Sequence, residues 1–120
     1  MVALREAAYR ASAVRAGLKR FEEAKSLLRK TIPVARRVLR DDQITVGMRV
    51  NYARAIYENS AATLDDLREA VTTLEDTERI TRRVFGGAHP LATTIELDLR
   101  HARAALRARE EGKTVVVTYK

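Results

Sequence analysis

Two histidines, several adjacent pairs of carboxylates and one Gly-Lys-Thr triplet carry the residue types from which active sites are most often built. His89 stands in VFGGAHPLATTIELDLRHARAAL, residues 84–106. A catalytic histidine needs a nucleophile or an acid within hydrogen-bond reach, and a metal site needs further ligands. His101 lies about three helical turns further on, too far to share an ion with His89. Carboxylate pairs such as Glu22-Glu23, Asp41-Asp42 and Asp65-Asp66 are neighbours in sequence. On a helix, neighbours point about 100° apart, so they read as solvation and capping instead of an acid/base pair. The Gly-Lys-Thr triplet at 112–114 lacks the earlier glycine of a phosphate-binding loop, since Arg107 stands at that position, and VVVTY after it is β-prone. The expectation is a protein without catalysis, cofactor or metal.

The elements around these residues explain them better. Val84 and Phe85 close one apolar stripe, Gly86 or Gly87 fits the left-handed residue that ends a helix, and Pro90 fits the first turn of the next. His89 then falls at or near an N-cap and is a corner residue. The periodicity predicts five helices, over 2–17, 20–40, 43–58, 63–85 and 90–111. Thr63 with Asp66 resembles a capping box. Pro33 should interrupt and kink the second helix near Ile32. Expected core positions are Leu27, Leu28, Val34 and Val38; Ile44, Met48, Tyr52 and Ile56; Leu67, Ala70, Val71, Leu74, Ile80 and Val84; and Ile95, Leu99, Ala102 and Leu106. Ala24, Ala53 and Ala70 mark close approaches between helices.

Length and composition agree. The 120 residues make one domain at most, and the few glycines, prolines and aromatics suit helices. The absence of cysteine excludes disulfides and thiolate metal sites and makes a reducing, cytoplasmic setting the default. No apolar run reaches the length of a membrane span. The net charge of +7 is uneven: residues 1–60 hold 13 Lys/Arg against 6 Asp/Glu, and residues 61–120 hold 10 of each. The N-terminus, MVALREAAYRASAVRAG, has the Ala/Arg-rich, acid-poor character of a transit peptide, but its pattern runs on into the next segment as an ordinary helix would.

The chain also repeats itself. FEEAKSLLRKTIPVARRVL (21–39) aligns with LREAVTTLEDTERITRRVF (67–85) at an offset of 46, with seven of 19 positions identical. ITVGMRVNYARAIY (44–57) then aligns with LATTIELDLRHARA (91–104) at an offset of 47, setting Met48 against Ile95 and Tyr52 against Leu99. A helix pair recurring at this period indicates a solenoid.

The repeated Glu-Ala pairs (Glu23-Ala24, Glu69-Ala70), the RRV(L/F) helix ends, the GGAHP corner, Thr93-Thr94 and the segment Asn51-Tyr52-Ala53 together resemble a tetratricopeptide repeat protein of the longer-period, kinesin-light-chain-like type. The match covers about residues 20 to 108. It implies an all-α fold: a right-handed α-solenoid of antiparallel helix pairs, about two and a half repeats over residues 1–111, with a tail at 112–120. In that family the first helix of each pair lines a groove that takes a peptide or a partner helix. Asn51 matches the groove asparagine, Arg54 would share its face, and Asp98 and His101 are their equivalents in the last helix. An asparagine side chain there pairs with both the N–H and C=O of a peptide backbone, and an arginine adds a preference for acidic groups. Asp98 departs from the family's asparagine. Asn51 and Arg54 read equally well as solvated surface residues.

Arg100 and Arg103 replace the packing residues Ala53 and Ile56, which marks the last helix as a polar cap. The N-terminal end has no such cap, so the chain could be the C-terminal part of a longer array, or associate with itself there. The partner expected first is another protein, with no membrane involved. Nucleic acid or another polyanion is the alternative, through Arg15, Lys19, Arg20, Lys25, Arg29, Lys30, Arg36, Arg37 and Arg40. It ranks second because no aromatics interleave with that patch, and because Arg36-Arg37 recur as Arg82-Arg83 in the neutral half.

Overall fold

Four segments of the chain pair helix-forming interiors with residues that start and stop helices, and the computed structural model, which describes residues 20–112, is helical at each. They are α1 (Phe21–Val38), α2 (Gln43–Tyr57), α3 (Leu64–Phe85) and α4 (Pro90–Glu110). The helix expected over 2–17, which includes Arg15, together with Lys19 and nearly all of the tail, lies outside the described residues. Among those described there is no strand.

The helix starts are chemical. Asp42 caps α2 by accepting from the Ile44 N–H at 2.8 Å. Thr63 and Asp66 form a reciprocal capping box on α3, with bonds of 3.1 and 3.4 Å. Burial opposes ionisation of Asp66, but Lys25 and the Thr63 bonds outweigh it and hold the carboxyl below its usual range. His89 caps α4: its Nδ1 accepts from the Leu91 N–H at 3.1 Å, and its ring lies 5.0 Å from that of Phe85.

The stops differ from expectation. Gly86 ends α3 at φ +90°, ψ 156°, a glycine-only extended region and not the left-handed helical one. Forty-six residues earlier its counterpart is Arg40, which also has a positive φ, +53°, just past α1. Pro33 does not interrupt α1, which continues through it to Val38. The proline lies on an exposed face, where the carbonyl it leaves unpaired can be solvated.

One core joins all four helices. The repeat is visible side chain by side chain. Ala24 and Ala70, Leu28 and Leu74, Ala35 and Thr81, Met48 and Ile95, Tyr52 and Leu99, and Ala55 and Ala102 are all buried. Thr31 and Thr77 each turn a hydroxyl back to the carbonyl four residues earlier. Three expected core residues are exposed instead: Val34, and the equivalent pair Val38 and Val84, at 45% and 46%. The buried stripe of α3 runs Leu67, Ala70, Leu74, Thr77, Thr81; helical spacing would carry it on to Val84, but in the last turn Phe85 packs against the core instead. α2 is buried on nearly every side, Val46, Val50 and Tyr57 included.

α1 packs on α2, α2 on α3, α3 on α4, and α2 also on α4. Gln43 at the start of α2 meets His89 at the start of α4, 3.4 Å apart. At the other end, Arg109 bonds the carbonyls of Ser60 and Ala62 just past α2.

Candidate functional site

The four residues singled out for a groove sit on the two helices whose starts coincide. Asn51 and Arg54 belong to α2, and Asp98 and His101 to α4. Arg54 and Asp98 face each other. The guanidinium gives a two-pronged ion pair, Nε to Oδ1 at 2.8 Å and Nη2 to Oδ2 at 2.9 Å. The Tyr57 hydroxyl donates to the same Asp98 Oδ1. Asp98 is 1% exposed, while the Arg54 side chain keeps about a quarter of its surface, 25%. The carboxylate thus accepts three hydrogen bonds, two of them from a cation that remains partly wet. That is the arrangement in which a buried charge is compensated.

His101 lies beyond this knot, its ring 6.3 Å from that of Tyr57. Asn51 is half-buried one turn before Arg54. Both have partners within the chain. The structure therefore gathers Arg54, Asp98 and His101 around Tyr57 and sets Asn51 beside them. Asp98 is spent on tying α2 to α4 and offers no free carboxylate to a ligand. Tyr57 was missed at the level of sequence because it aligns with Ala104. Its one signal was an aromatic ring three residues after Arg54, on the same helix face.

Part of the positive charge of the described N-terminal half is matched by acids. Arg20 pairs with Glu23, and Lys25 pairs with Glu22 at 3.0 Å and Asp66 at 3.5 Å. Arg29 donates to the Tyr52 hydroxyl at 2.6 Å, and that hydroxyl donates to Glu69 at 2.7 Å. Burial, and then the Glu69 carboxylate, push the Tyr52 hydroxyl up to about 12. The Lys25–Asp66 pair and the Arg29–Tyr52–Glu69 chain form the seam between α1 and α3. Lys30, Arg36, Arg37, Arg40 and Arg49 make no ion pair among the described residues, and of these five only Arg49 is half-buried.

No protein-family model, curated protein or solved structure significantly matches this chain. What the arrangement can do therefore rests on its own geometry. Among the described residues no group of three or more His, Asp or Glu could hold a metal ion, and no helix is long and apolar enough to cross a membrane.

Proposed function

We propose that the chain is a protein-interaction module: a right-handed solenoid of antiparallel helix pairs, tetratricopeptide-like, that takes a segment of another protein along α2 and α4. The observation that carries this is the equivalence of the two copies. Buried positions recur at 46 or 47 residues, and α2 lies against α4 with coincident starts, as the first helices of stacked repeats would. The exposed Arg100 and Arg103 stand where Ala53 and Ile56 are buried, which supports α4 as the closing helix.

In this reading the Arg54–Asp98 pair is the floor of the groove and Asn51 and His101 are its flanks. Arg54, still partly open, is the group an acidic segment would meet, and Asp98 keeps it in place. The reading excludes catalysis and any cofactor.

The test is affinity capture from lysate followed by hydrogen exchange on the purified complex. The expected result is a protein binder that protects α2 and α4 and binds about tenfold more weakly to Asn51→Ala, with Arg107→Ala unchanged. Protection confined to α1 would refute it. Capture of nucleic acid that about 0.5 M salt strips off would transfer the function to the basic surface.

A further inference from the structure

Two of the arginines that make no ion pair among the described residues, Arg36 and Arg49, are close neighbours. Arg36 of α1, Arg49 of α2, and Arg79, Arg82 and Arg83 of α3, with Asp76, line a depression of about 700 Å³. The carboxylates nearest Arg49 are already engaged: Asp76 with Arg79, and Asp41 with Arg83 at 3.5 Å. Arg49 is half-buried. Its guanidinium is held below the usual range first by that burial and then by the charge of Arg36, with Asp76 and Asp41 opposing.

The repeat supplies an internal control. Arg82 of α3 pairs with Glu96 of α4. Counting back 46 and 47 residues, the same two positions in the first copy are Arg36 and Arg49. An ion pair in one copy has become a juxtaposition of like charges in the other. Two guanidiniums without a counter-charge cost folding energy unless something else pairs with them.

We propose that this depression receives a phosphoryl dianion carried on a segment of another protein, held between Arg36 and Arg49. Two forked guanidiniums match the charge and the oxygens of a phosphoryl group. A nucleic-acid strand fits less well. No aromatic ring lines the depression for base stacking, and Asp66 and Glu69 interrupt the positive seam along which a backbone would have to run. The carrier being a protein rests on the function proposed above; the anion site rests on the arginines alone.

The experiment uses the full chain, with NMR of the arginine Nε–Hε groups during titration with inorganic phosphate and with O-phosphoserine. The expected result is a saturable shift of Arg36 and Arg49 while Arg100 and Arg107 stay still. Arg49→Glu recreates the ion pair of the other copy, so it should melt at least as high as the parent while losing phosphate at least tenfold. A phosphoserine peptide should then bind the parent more tightly than its serine form. Equal, unsaturating shifts at every exposed arginine would overturn the site, whatever the capture experiment finds. Binding of a single-stranded oligonucleotide that phosphate cannot displace would overturn the compact anion in favour of a polyanion surface.

Discussion

At the scale of single residues, the two copies solve one problem with different side chains. Past each second helix the backbone needs a positive φ, and Gly86 accepts it freely while Arg40 bears a Cβ there. Arg40→Gly is expected to stabilise the fold by about 0.5–1 kcal/mol, the relief being partly offset by the greater freedom of glycine in the unfolded chain. Urea denaturation followed by circular dichroism checks it, and a loss of stability would mean that the arginine side chain does more at that turn than the backbone suffers. Asp98 makes the opposite case. Asp98→Asn keeps the shape and removes the charge, leaving Arg54 and Tyr57 facing a neutral amide. The expected loss is about 2–3 kcal/mol, below the roughly 3–5 kcal/mol of a fully buried pair because Arg54 is partly solvated. A midpoint unchanged in urea would show that the pair contributes nothing.

At the scale of elements, helix existence and ends were legible, because capping is local chemistry: Thr63 with Asp66, His89 before Pro90 and Asp42 before α2 need only their own sequence neighbours. What a helix buries was less so. α2 shows little one-sidedness because it is enclosed, and reading it through Ile44, Met48, Tyr52 and Ile56 missed the face of Val46, Val50 and Tyr57. Val38 and Val84 looked like core and are exposed, since only tertiary packing decides where a stripe stops. The seam between α1 and α3 carries its own prediction. The Tyr52 hydroxyl titrates near 10 in the unfolded chain and at about 12 when folded. Between those values the folded state keeps a proton that the unfolded state has lost, so stability is whole below about pH 10 and falls as pH rises through the window. Urea midpoints between about pH 9 and 11.5 should show that decline, and Tyr52→Phe should flatten it.

At the scale of the whole molecule, α2 is the only described helix that packs on the three others, α1, α3 and α4. Its amides are expected to exchange with solvent most slowly, through global unfolding, and native-state hydrogen exchange reads this directly. Faster exchange in α2 than in α3 would contradict its place at the centre. The candidate site was only half legible for a related reason. Sequence alignment brought Asn51 opposite Asp98 and Arg54 opposite His101, one copy against the other, but Arg54 bonds Asp98 across the copies, which no alignment of the copies states. The longest of the three connections, residues 58–63, is fastened from outside by Arg109, whose guanidinium grips the carbonyls of Ser60 and Ala62. A protease must draw slack backbone into its cleft before it can cut. Within 20–112 that fastening steers cleavage away from the segment whose length alone would invite it, and toward the short turn that carries Arg40.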